Sequence, residues 1–167
     1  GVLVGEVWFS SGQSNMVWVA GKSMCNELAR EIAASKVEVP IREININTVS
    51  ALYPQKKATS EEGWKKSTAA GGFSALSLAF AHELYRELKV PIGILLSAHS
   101  NTRIEAFTQR EAIEEHQKLQ EDKDLIHDAD PLTDQGRKAF DQYYADLKVW
   151  QDVAGHAAEK GGKVPAR

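Results

Sequence analysis

A single cysteine, Cys25, stands among the 167 residues, which excludes an intrachain disulfide and a cysteine-based zinc cluster. No apolar run approaches the roughly 20 residues that a membrane-spanning helix needs. The first residues also lack the charged, apolar and small-residue regions of a signal peptide. Gly1-Val2-Leu3-Val4 opens almost directly into a strand, so the start reads as cut from something longer and leaves export open. An excess of one charge is missing too. The net charge is −3, and the pairs Lys56-Lys57 and Lys65-Lys66 stand apart from clustered aromatics, which argues against a nucleic-acid surface. The five histidines include no His-x-x-x-His or His-Glu-x-x-His spacing, so no metal and no cofactor are indicated. The first loop holds one glycine and no phosphate-cradling run, which weighs against a nucleotide binder. Internal repeats and low-complexity segments are absent as well.

What is present is enough for one domain or part of one, with 43% hydrophobic residues to fill a core. Val4 to Phe9 is nearly continuous in apolar character and predicts a strand buried on both faces. Met24, Leu28 and Ile32 recur every fourth residue and predict a helix, with Cys25 on the stripe of Ala29 and Ala33 as a core residue. Ile41 to Val49 alternates and predicts a second strand, nearer a sheet edge. Residues 50 to 72 read as a loop. Phe73, Leu76, Phe80, Leu84 and Leu88 form a helical stripe, and Ile92 to Ser97 reads as a third strand. This strand, helix, strand, helix, strand order predicts parallel strands with right-handed crossovers, the first half of a doubly wound α/β sheet. Thr108-Gln109-Arg110-Glu111 has the form of a capping box, and Phe140, Tyr143, Tyr144, Leu147, Trp150 and Ala154 predict a helix from Asp134 to Lys160. Residues 1–107 thus read as the sheet domain and 108–167 as a helical insert packed on it.

The chain is organised around Gly12-Gln13-Ser14-Asn15-Met16, which lies between the first strand and a helical segment. A serine there sits at the carboxyl edge of a sheet, where open α/β folds bind ligands. Gly12 permits the bend. Ser14 supplies a hydroxyl, and the N–H groups of Ser14 and Asn15 open a helical turn in which the first donors have no intrahelical partner. The second glycine of a Gly-x-Ser-x-Gly elbow is replaced by Met16, so this is a different serine turn. Taken alone, Ser14 would be read as an ordinary helix N-cap.

Gly5-Glu6-Val7-Trp8 followed by Ser11-Gly12-Gln13-Ser14-Asn15-Met16 is similar to the first block of the sialate O-acetylesterase group of the SGNH hydrolases. Gly72-Phe73-Ser74-Ala75, the helix ending Glu83-Leu84, Val90-Pro91-Ile92-Gly93 and Thr102-Arg103-Ile104-Glu105-Ala106-Phe107-Thr108 follow in that family's order, over about the first two thirds of the chain. The resemblance implies a flavodoxin-like three-layer α/β/α fold, cut after the third strand, whose third strand is left without its neighbour as an exposed apolar edge. It also implies a serine esterase that removes acetyl groups from sugar hydroxyls through an acyl-Ser14 intermediate, and an exported protein.

In that family, the loop after the third strand reads Ser-x-x-Gly-Gly-Thr and supplies an oxyanion donor. Here it is Ser97-Ala98-His99-Ser100-Asn101-Thr102. Asn101 tolerates a left-handed backbone, whereas Ser100 is harder to accommodate there. The oxyanion hole implied by the resemblance therefore consists of Ser14 with the Ser100-Asn101 turn, and the pocket of Gln13, Asn15 and His99. His99 occupies a pocket-lining position; to act as a base it would have to reach the serine hydroxyl. Glu105 matches a family position and reads as a structural ion pair or hydrogen-bond acceptor rather than a catalytic acid. The family's Gln-Gly-Glu-x-Asn stretch and late Asp-x-x-His pair do not occur where the family has them. Asp124-Leu125-Ile126-His127 has the spelling but falls inside the insert and reads as surface. The activating His and Asp are accordingly expected from the rest of the hydrolase domain or a partner chain. The competing reading is a fragment of the same fold that binds carbohydrate or serves structurally and has lost hydrolysis.

Overall fold

The computed structural model describes residues 1–35 and 38–166. They form two compact units, residues 1–108 and 109–167. In the first unit, β1 (Glu6–Gly12) leads into a single helical turn, α1 (Ser14–Val17), and then into α2 (Asn26–Ala34) and β2 (Ile41–Asn45). A two-residue strand, β3 (Lys65–Lys66), precedes α3 (Ala75–Leu88) and β4 (Ile92–Ala98). The sheet order is β1-β4-β2-β3, with β4 parallel to both β1 and β2 and β3 antiparallel to β2.

This order corrects one expectation. The third parallel strand, β4, is central, and the edge that lies open belongs to β1. The residues of β4 suit the centre, because Ile92, Ile94 and Leu96 are buried and Gly93 is small enough for the Trp64 indole to lie close over it. A strand covered on both faces must be apolar at both alternating sets of positions. The apolar run of β1 predicts such a strand as well, yet Val7 and Phe9 are 59% and 68% exposed.

Register explains the difference. Ile41, Glu43, Ile92, Ile94 and Leu96 share one face with Trp8, since neighbours across a sheet project to the same side. That face meets Ala29 and Ile32 of α2 and Leu78 and Ala81 of α3 in one core with Phe73. Val7, Phe9, Ile44 and Leu95 alternate to the other face, where, among the described residues, no helix of this unit contributes to the core. The unit thus supplies two layers of the three that the resemblance implies.

Other departures are local. Met24 precedes α2 and is exposed, and Ala33 is exposed, while Cys25 packs against the core as expected. Residues 50–72, read as a loop, contain β3 and a 3-10 segment at Ser67–Gly72. In α3 the buried positions are Ala75, Ser77, Leu78 and Ala81, whereas Leu76, Phe80 and Leu88 of the expected stripe are exposed and Phe80 lies edge-on to Trp8 at 5.2 Å.

The second unit holds α4 (Arg110–Glu115), α5 (Gln120–Ala129) and α6 (Asp134–Glu159). The capping box does not form: the Thr108 hydroxyl donates to the Ile104 carbonyl, and Gln109 precedes α4 without a side-chain cap. Thr133 caps α6 instead, its hydroxyl accepting the Gly136 N–H. A buried Asp130 accepts from Arg110 at 2.7 Å and holds the α4 and α5 ends together. Among the described residues, no helix is long and apolar enough to cross a membrane.

Candidate active site

The serine turn forms because β1 ends in a residue without a side chain. Gly12 has φ of +137°, a region that side-chain-bearing residues rarely adopt, and a Cβ there would meet Met16 Cγ at 2.9 Å. The bend lets Gln13 start the helical turn, its carbonyl accepting the Met16 and Val17 N–H groups. Ser14 is the first residue of α1 and is exposed. Among the described residues, its hydroxyl has no hydrogen-bond partner, and the N–H groups of Ser14 and Asn15 have no acceptor.

The second loop is tied to the first by the backbone. β1 and β4 run in register from Glu6 opposite Ile92 to Gly12 opposite Ala98, and the next residue, His99, donates its N–H to the Gly12 carbonyl at 3.0 Å. The sheet therefore ends with the serine turn and the 99–102 loop side by side at the carboxyl edge. Within that loop, Asn101 takes the left-handed conformation at φ +57°, and Ser100 does not. The substitution of the family's glycines is thus met by the residue that tolerates the conformation, and Ser100 is spared it.

The His99 ring is also oriented. Its Nδ1 lies 2.9 Å from Thr102 Oγ1, and the Thr102 hydroxyl donates to the Ser100 carbonyl. With that hydroxyl proton engaged, Oγ1 is placed to accept from the ring when Nδ1 carries a proton. His99, Ser97, Ala98 and Thr102 line an open cleft of about 780 Å³ together with Ile46 to Ala51, Lys57 and Thr59. Gln13, Ser14 and Asn15 do not line that cleft; they stand at its β1 side, across the Gly12 to His99 bond.

Two acids near the site behave differently. Glu105 is paired with Arg103 at 3.2 Å, as the sequence suggests. A hydrogen bond from its own backbone N–H, helped by Arg103, holds its carboxyl below the usual carboxylate range. Glu43 is fully buried on β2, and desolvation pushes its carboxyl up to about 7 against the lowering effects of the Ser74 N–H and Lys65. Sequence reasoning missed Glu43. Its signal is the inward register with Ile41, two residues earlier in an alternating strand.

Histidines elsewhere have local work. In the second unit, His127 Nε2 lies 2.9 Å from Glu114 Oε1, while Asp124 accepts from Gln120, so the Asp-x-x-His spelling makes no pair. The hydrogen bond with His127, with Arg110 assisting, holds Glu114 below the usual carboxylate range. His156 faces the Asp152 carbonyl, and His116 accepts the Lys118 N–H. No cluster of metal-ligating side chains occurs among the described residues.

A mostly parallel sheet with a serine turn at its carboxyl edge, beside a second loop with a left-handed residue, defines an α/β protein of SGNH-hydrolase type. Comparisons with known proteins agree. No family model matches the chain. The mouse sialate O-acetylesterase is 29% identical over 121 residues, and the rat protein 30% over 130, each match taking in 68% of this chain and 22% of the relative. A crystal structure of a carbohydrate acetylesterase from Xanthomonas citri superposes with a TM-score of 0.58 at 32% identity, over 70% of this chain and 26% of that one. The chain belongs to the sialate O-acetylesterase family, and it spans about a fifth of the length of the curated relatives it matches.

Proposed function

We propose that this chain carries the nucleophile of a carbohydrate O-acetylesterase. Ser14 attacks the acetyl carbonyl of an O-acetylated sugar, the sugar hydroxyl leaves, and water hydrolyses the acyl-Ser14 ester. The N–H of Ser14 and the Ser100-Asn101 turn hold the oxyanion, with Gln13, Asn15 and His99 against the substrate. The observation that carries the reading is the 3.0 Å bond from the His99 N–H to the Gly12 carbonyl, which holds the two loops together at one sheet edge. The left-handed Asn101 supports the turn's part in it. A donor lost from such a hole costs on the order of 100- to 1000-fold in rate, so this turn matters to turnover.

The base and the acid that orients it come from further polypeptide of the hydrolase domain. The relatives, of which this chain matches about a fifth, support that, and so does the open apolar edge and face of β1, where an added strand and layer would bury Val7 and Phe9. An exported location belongs to the same proposal. One observation favours the second reading, a binding fold without hydrolysis: the Ser14 hydroxyl has no partner among the described residues to activate it.

Hydrolysis of p-nitrophenyl acetate, by this chain and by Ser14→Ala, each alone and with a downstream segment of the parent protein, separates the readings. The expected result is activity that needs both Ser14 and the added segment. Activity of the chain alone moves His99 into the role of base. A rate equal to buffer in every arm removes the catalytic claim, and binding of acetylated sugar is then measured directly.

A further inference from the structure

Glu43 is a fully buried carboxyl for which acyl transfer at Ser14 has no direct use. Its two oxygens lie 3.0 and 3.3 Å from one donor, the Ser74 N–H, at the residue that caps α3. Ser74 in turn pairs antiparallel with Val19. Around that bridge the Ala75 N–H donates to the Trp18 carbonyl, and the Ala20 N–H to the Phe73 carbonyl, both at 2.8 Å. Trp18 is the residue at which α1, the turn carrying Ser14, ends.

The connection is therefore short. From the Glu43 carboxyl it passes through the Ser74 N–H, the 73–75 backbone and the two bonds to residues 18–20, and reaches Ser14 within four residues of Trp18. A 3-10 turn at Ala20–Lys22 and the end of β1 fix the remaining sides. We propose that Glu43 is a positioning residue for the nucleophile turn, holding the 73–75 segment against which residues 18–20 set the orientation of α1. The inference rests on Ser14 as the reacting group for its catalytic meaning, but the mechanical connection stands apart from it.

The charged group facing Glu43 is Lys65, its cross-strand partner on β3, which also pairs with Glu62 at 3.1 Å. β4 contributes no titratable side chain, nor do the first two turns of α3, Ala75 to Ala81. Ionised Glu43 is the stronger acceptor for the Ser74 N–H, since charge-assisted bonds are shorter and stronger than neutral ones. Its elevated ionisation range makes that change observable under mild conditions. His99 carries an ionisable ring and donates its backbone N–H to Gly12, so its contribution has to be separated.

The test is an amide NMR titration of the whole chain from pH 5 to 9, for wild type, Glu43→Gln and His99→Gln. The expected result is that the Ser74, Ala75, Ala20, Ser14 and Asn15 amides move with one midpoint. These shifts persist in His99→Gln and vanish in Glu43→Gln. If Ser74 titrates while Ser14 and Asn15 stay fixed in the His99→Gln chain, Glu43 is a local cap and the proposal is overturned. Should Glu43→Gln not fold, the His99→Gln titration still decides. In a reconstituted active enzyme, Glu43→Gln lowers kcat roughly 10- to 100-fold with KM within about twofold, the signature of a misplaced nucleophile. Loss of the Ser14 reading would remove this kinetic effect and leave the spectral one.

Discussion

One face of the sheet is sealed and the other is open along β1, although the same strands supply both. Ile41, Glu43, Ile92, Ile94 and Leu96 lie beneath α2 and α3, while Val7 and Phe9 of β1 lie in solvent. Apolar character is similar on the two sides. What differs is the layer above. Burial in this unit is set by which helices the chain folds back, and β1 is the apolar strand they leave without a cover.

The largest test of this contrast removes one aromatic ring from each side. Phe73 is fully buried at the junction of α3 with the sealed face. Phe73→Ala should cost about 3–5 kcal/mol, through lost transfer energy and the cavity left behind. Phe9→Ser, on the open face, should change stability by less than about 0.5 kcal/mol. Urea unfolding of the two variants checks both. Equal losses would mean that β1 is covered within this chain.

Next in size is the one carboxyl on the sealed face. The folded value of Glu43, about 7, lies above the ordinary 4.5, so the folded chain binds the proton more tightly than the unfolded one. Stability from this group is therefore full below pH 4.5, falls as pH rises through the window to 7, and is level beyond it. The difference between wild type and Glu43→Gln should shift by about 3 kcal/mol across that window, to the disadvantage of wild type. Urea midpoints taken at half-unit steps of pH read it, and a difference that stays constant sinks the assignment.

The order in which features can be read from the residues follows the range of the forces involved. The serine turn is legible because Gly12 and Ser14 are local chemistry, and Asn101 is picked out by its own tolerance for a left-handed backbone. The helices α3 and α6 are legible from their period, although the α3 stripe points at Leu76 and Phe80 while the core takes Leu78 and Ala81. Strand order is not legible, because which strand lies central depends on pairing across some fifty to ninety residues of chain. That is why the sequence assigns β4 an open edge that belongs to β1. Glu43 escapes notice for the same reason: its burial comes from Phe73, Ser74 and β4, none of them near it in sequence. The Thr108 capping box fails through a competing local bond, its hydroxyl turning back to Ile104.

The smallest expected effect concerns the free edge of β1 on the sealed face. Trp8 projects toward α3 and meets Phe80 edge-on at 5.2 Å, yet both rings remain about two-fifths exposed. An edge-to-face pair contributes roughly 0.5–1.5 kcal/mol beyond its buried area, and exposure puts this one at the lower end. The double-mutant cycle Trp8→Ala, Phe80→Ala should therefore return a coupling of about 0.5 kcal/mol in the chain alone. If further polypeptide pairs with the free edge of β1, it excludes water from these rings, and the coupling should at least double when a downstream segment is supplied. A coupling unchanged by that segment would mean that the added chain docks elsewhere, and the open edge of β1 would then need another occupant.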